Sequence, residues 1–145
     1  MHEFMLLTTI FYKAILKSIM KVKSVAGIVA YVKDTKKTAA FYEKLGFIFE
    51  KREPDHISVR LNWFWIDFHS QDKEDKSEFQ KEAKLTNKGA GLFLYISVDD
   101  VDEFYSGLIK KGLKPSSKPR DWPWGNREFV IRDPDGYKLV FFKRK

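Results

Sequence analysis

From residue 21 onward, the apolar positions fall into short runs whose period switches between that of a strand and that of a helix. Residues 24–32 (SVAGIVAYV) form a Val-, Ile- and Ala-rich run of strand length. The period then changes. Asp34 or Thr35 caps a helix over 36–44, Ala39, Ala40 and Tyr42–Leu45 supply its apolar contacts, and Gly46 stops it. Residues 47–52, 56–62 and 64–69 read as three further strands, with Pro54-Asp55 as the turn between the first two. Residues 71–91 break the pattern with the charged, helix-prone KEDKSEFQKEAK and the loop TNKGAG, which predict a linker carrying a short surface helix.

The pattern then repeats. Residues 92–98 (LFLYISV) predict a strand, Asp99-Asp100 caps a helix over 101–111, and Gly112 ends it. A strand beginning at Leu113 is interrupted by Pro115, Pro119 and Pro123. Residues 126–132 and 137–143 predict two more strands, joined by the DPDG turn at 133–136. The segments YVKDTKKTAAFYEKLGF and SVDDVDEFYSGLIKKGL are thus equivalent parts of two modules, 21–70 and 91–145, joined by the linker 71–90. A strand–helix–three-strand unit cannot cover both faces of its sheet, so the modules are expected to pack as one domain.

The first twenty residues stand outside this scheme. Lys13 and Lys17 interrupt their apolar run, so it falls short of the roughly 18–20 residues that span a bilayer. Glu3 and the lack of a small-x-small site argue against a signal peptide. The segment reads as an N-terminal extension, either a start placed too far upstream or an amphipathic helix.

Composition narrows the chemistry. There is no cysteine, which excludes disulfides, thiolate metal sites and a thiol nucleophile, and fits a cytoplasmic location. The net charge of +7 comes from 27 Lys and Arg interspersed with 20 Asp and Glu, the pattern of a solvated surface and not of a nucleic-acid footprint; no nucleic-acid or membrane partner is expected. Thirteen Phe, six Tyr and four Trp supply more aromatic area than packing alone requires.

The segments VKDTKKTAAFYEKLGF (32–47), VDDVDEFYSGLIKKG (98–112) and GNREFVIRDPDGYKLVFF (125–142) resemble those of the vicinal oxygen chelate superfamily, which includes glyoxalase I, extradiol dioxygenases and bleomycin-resistance proteins. The resemblance implies an α+β fold in which two βαβββ modules curl a mixed sheet around a cleft. Metal-dependent members place His or Glu at four positions, on the first and last strands of each module. Here these fall on Gly27, Asp67, Phe93 and Val140, and one carboxylate cannot replace three or four ligands. No metal or other cofactor is therefore expected. His69 should share the face of Asp67, but His56 is set aside because it sits at a turn.

The resemblance then tilts toward metal-free, ligand-sequestering members, and PWGNREF (123–129) is similar to a stretch of bleomycin-resistance proteins whose loop tryptophan helps stack the drug. Strand alternation puts Trp63, Trp65, Asp67 and His69 in the cleft, with Phe64, Ile66 and Phe68 against the helices. It also puts Val25, Gly27, Val29 and Tyr31, then Phe93, Tyr95 and Ser97, then Val140 and Phe142 inward. Trp122 and Trp124 flank Pro123 in a loop and complete the candidate ligand-binding set. Asp67 either meets the ligand or pairs with Arg60 or His69, while Arg127 and Glu128 are expected to pair structurally. The reading favours a homodimeric binding protein for a planar or hydrophobic, neutral or anionic small molecule, and no catalytic residue is assigned. Its alternatives are a glyoxalase-type lyase or isomerase with an atypical site at Asp67 and His69, and a module whose aromatics fill the cleft.

Overall fold

The computed structural model describes residues 6–13 and 22–145. Residues 6–13 are helical, and Leu6, Leu7, Ile10, Phe11 and Tyr12 are exposed. The remainder of the N-terminal extension, with whatever amphipathic character it adds, lies outside the described residues. No helix among the described residues is long and apolar enough to cross a membrane.

The first module runs β1 (Gly27–Val32), α1 (Thr35–Lys44), β2 (Phe49–Glu53), β3 (His56–Leu61) and β4 (Phe64–Ser70). The linker contributes α2 (Ser77–Ala83). The second module runs β5 (Phe93–Ser97), α3 (Val101–Lys110), β6 (Arg120–Asp121), β7 (Asn126–Arg132) and β8 (Lys138–Arg144). The sheet orders are β1-β4-β3-β2 and β5-β8-β7-β6, so the modules share one topology, with first and last strands parallel and the others antiparallel. The fold is the expected α+β pair of βαβββ modules, built as two separate four-stranded sheets. The proline-interrupted stretch after Leu113 leaves β6 only two residues long.

Local chemistry accounts for the boundaries. The Asp34 carboxylate caps α1 by accepting from the N–H groups of Lys36 (2.9 Å) and Lys37 (3.0 Å), and Asp100 caps α3 through Glu103 N–H at 2.9 Å. Past the helix ends, Gly46 (φ +93°) and Gly112 (φ +78°) adopt left-handed backbone that turns the chain into the next segment.

Each sheet has one face against its helix. Val32, Ile57, Val59, Ile66 and Phe68 of the first sheet and Phe129, Ile131, Leu139 and Phe141 of the second join Ala39, Tyr42, Val101 and Leu108 in one continuous core. Polar contacts reinforce the junction of the modules. The Tyr137 hydroxyl donates to Tyr31 O (2.9 Å), Lys33 N–H donates to the Asp135 carboxylate (2.9 Å), and Lys111 Nζ donates to Lys44 O (2.9 Å). The helix-side faces are therefore spent on each other. The opposite face of each sheet remains open.

Candidate functional site

Both open faces carry aromatic residues. On the second sheet, Phe93 and Tyr95 are 50% and 47% exposed, and Tyr95 packs edge-on against Phe142 with centroids 5.5 Å apart. Val140 lies between Tyr95 and Val130 by register and is buried. On the first sheet, Val29 is 49% exposed while Trp65, Asp67, His69 and Tyr31 are half-buried. Trp63 departs from the alternation. It belongs to the β3–β4 turn, where Asn62 takes φ +56°, and it is 72% exposed. Asparagine tolerates this left-handed conformation, so a tight turn forms where a continuous strand pattern would have carried Trp63 onto the open face.

The resemblance points to Gly27, Asp67, Phe93 and Val140 as the positions that correspond to family metal ligands. Gly27 brings no side chain, Phe93 and Val140 bring only hydrocarbon, and Asp67 stands alone among them. A Cβ at Gly27 would lie 2.1 Å from Cδ2 of Trp65. The indole of Trp65, directly across the parallel β1–β4 pair, thus fills the space that a ligating side chain at 27 would need.

Asp67 has partners other than Arg60 or His69. Ser58 Oγ donates to Asp67 Oδ1 at 2.5 Å, and His56 Nε2 lies 3.3 Å from Oδ2 without the alignment of a hydrogen bond. Arg60 reaches Glu50 instead, at 3.6 Å. The ring of His69 lies 4.3 Å from that of His56, tilted by 42°, and burial together with the neighbouring His56 holds its pKa below the usual histidine value. Beside it, Tyr31 donates to Glu74 at 2.5 Å, and burial and this carboxylate push the phenol up to about 12. His56 therefore belongs to the cluster. It is the first residue of β3, not part of the turn, and faces His69 directly across the antiparallel pair.

In the second module, Trp122, Pro123, Trp124 and Gly125 form a turn closed by Gly125 N–H donating to Trp122 O at 3.0 Å. The turn stacks the two indoles, with centroids 4.4 Å apart and planes 16° from parallel. The Arg120 guanidinium lies 3.3 Å from the Trp122 ring centroid. A guanidinium and an indole this close cannot share one ring face, so Trp122 is covered on both sides. Trp124 keeps its outer face free and is 53% exposed.

Arg127 and Glu128 point to opposite faces of β7. Arg127 is structural: it makes two bonds to the Asp102 carboxylate (2.7 and 2.8 Å) and one to Asp121 (3.1 Å), which hold its pKa above the ordinary value. Glu128 sits on the open face, 5% exposed, and accepts from Asn126 Nδ2 (3.2 Å), Trp124 Nε1 (3.5 Å) and the Tyr95 hydroxyl (3.5 Å). Three long bonds surround a carboxylate that links Tyr95 to the tryptophan turn. Its signal in the sequence was its two-residue spacing from Asn126 and Val130. The direction of that face, however, is fixed only by pairing with Phe142 of β8.

A family model described as the Glyoxalase/Bleomycin resistance protein/Dioxygenase superfamily matches residues 24–141. A bleomycin resistance protein of Geobacillus stearothermophilus is 28% identical over 121 residues, covering 78% of this chain and 91% of that protein. The uncharacterized protein YraH of Bacillus subtilis (strain 168) is 29% identical over 117 residues, covering 77% and 91%. Among solved structures, a glyoxalase/bleomycin resistance protein/dioxygenase family enzyme from Burkholderia phytofirmans PsJN superposes with a TM-score of 0.71 at 17% identity, over 83% of this chain and 98% of that one.

Proposed function

We propose that this chain, which belongs to the glyoxalase/bleomycin resistance protein/dioxygenase superfamily, binds a planar small molecule on the open face of its second module without using the family metal position. The observation that carries the reading is the tryptophan turn. Trp122, held between Arg120 and Trp124, is a rigid backing, and the free face of Trp124 offers a stacking surface. Phe93, Tyr95 and Phe142 extend the apolar floor, and Glu128 supplies one polar handle at its edge. The net charge of +7 repels cations at long range, but at contact distance Glu128 favours a ligand with an N–H donor over an anion. The relatives named bleomycin resistance protein support sequestration as the mode of action.

Val29, Phe93 and Tyr95, all about half-exposed on open faces, are also the surface on which a second copy of the chain would close the cleft. The reading is therefore of a homodimer. Titration of the full chain with planar aromatic compounds in the presence of EDTA, followed by tryptophan emission, tests it. Saturable quenching at a stoichiometry of about one per chain is expected; an unchanged emission across such compounds refutes it.

A further inference from the structure

The first module carries a constellation that ligand stacking leaves unused. His56 lies opposite His69 and Ser58 opposite Asp67, so the β3–β4 pairing sets His56, Asp67 and His69 on one face, two rungs apart. One donor atom from each of the three lies within 4.8 Å of the others. His56 Nε2 is sealed from solvent and has no hydrogen-bond partner, although Asp67 Oδ2 is 3.3 Å away. A buried polar atom left this way costs about 1–3 kcal/mol. A cation held between the ring nitrogen and the carboxylate would remove that cost.

We infer that His56, Asp67 and His69 bind one divalent transition-metal ion. Only Asp67 coincides with a family ligand position; the two imidazoles come from β3 and from further along β4. The inference stands apart from the ligand-binding reading, which rests on the second module. Two imidazole nitrogens and one carboxylate suit Zn²⁺, Co²⁺, Ni²⁺ or Fe²⁺ and not the all-oxygen preference of Ca²⁺ or Mg²⁺. With bonds of about 2.0–2.2 Å, the donors must draw together by roughly an ångström, which is side-chain rotation on a fixed sheet. Ser58 already orients the carboxylate by holding Oδ1 and leaving Oδ2 toward His56, the kind of outer partner that fixes a metal ligand. Three protein ligands leave at least one coordination position for water or an oxygen-bearing molecule.

Lys51 opposes the ion. Its Nζ lies 3.0 Å from His56 Nδ1, and donation there puts the ring proton on Nε2, the atom the metal needs. Glu53, whose carboxylate is 3.3 Å from the same ammonium, offers Lys51 another place to go. Lys51 is thus a positioning residue that sets the affinity.

The test is a Co²⁺ titration of the tag-free full chain after EDTA treatment and dialysis, read by visible absorption, with Zn²⁺ competition. One ion per chain is expected. His69→Ala and Asp67→Asn should each weaken binding more than about 100-fold, beyond what outer-shell changes cost, while Lys51→Met should tighten it by about tenfold. The Lys51→Met arm keeps the test decisive should a ligand variant fail to fold. Absence of saturable binding at about 1 mM Co²⁺ overturns the inference. So does binding that survives His69→Ala but disappears in His2→Ala, the one histidine outside the cluster.

Discussion

Tyr42 in the helix of the first module donates its hydroxyl proton, at 3.0 Å, to Asp133 in the DPDG turn of the second. The carboxylate also accepts from the N–H groups of Asp135 and Tyr137, both at 2.9 Å, so one buried side chain shapes the turn and joins the modules. Burial pushes Asp133 up to about 6 despite these donors. A carboxyl that holds its proton more tightly folded than unfolded stabilises the fold most at low pH. That contribution is full below the unfolded value near 4 and is lost as pH rises to about 6, a change of roughly 3 kcal/mol at most. Denaturant unfolding between pH 4 and 7 should show this slope in the natural chain and not in Asp133→Asn. Parallel pH profiles would assign the slope elsewhere.

Tyr42→Phe removes the hydroxyl but keeps the ring, which packs against Phe47 and Phe68. The cost should be about 1–3 kcal/mol at pH 7, that of a buried carboxylate losing a donor. A thermal melt indistinguishable from the natural chain would show that the bond adds nothing.

The two tryptophans of the turn should not contribute equally to binding. Trp124→Ala removes the free stacking face and should weaken a planar ligand by about 1 kcal/mol or more, five- to tenfold in Kd. Arg120→Ala uncovers the far side of Trp122 and should have a smaller effect. Glu128→Gln keeps the acceptor but removes the charge, and should selectively weaken ligands that carry a positive charge. Calorimetric titration of the three variants separates these outcomes, and a larger loss from Arg120→Ala than from Trp124→Ala would reverse the assignment.

A charge on an open face should disfavour the dimer. Val29→Lys lies away from the tryptophan turn and should shift the light-scattering mass of the chain toward 17.1 kDa at micromolar concentration. A natural chain that already scatters as a monomer would remove the dimer from the functional reading.

Gly27 and Trp65 should be energetically coupled. Gly27→Ala places a methyl 2.1 Å from one atom of the indole and 2.5 Å from two more, so the ring must move, at about 1–3 kcal/mol. In a Trp65→Ala background most of that cost should vanish. A double-mutant cycle in urea measures it, and additive effects would mean that the indole moves freely.

The fold was legible because its signals are local. Asp34 and Asp100 cap helices at equivalent places, Gly46 and Gly112 end them, and the strand runs keep a period of two. The site was legible only as far as single strands reach. Alternation put Asp67 and His69 on one face, but His56 joins them through the β3–β4 register, which neither strand encodes alone. Trp63 went astray by one local event, the left-handed Asn62. Glu128 stayed hidden because β7 alternates without saying which of its faces meets the helices.

The packing of Trp65 into the space beside Gly27 also limits what substitution at 27 can reach. A larger side chain at 27 and the indole in this seat exclude each other, so a change at 27 alone meets a steric clash. Placing a side chain there takes two changes, and the one at 65 opens a hole before the other can use it.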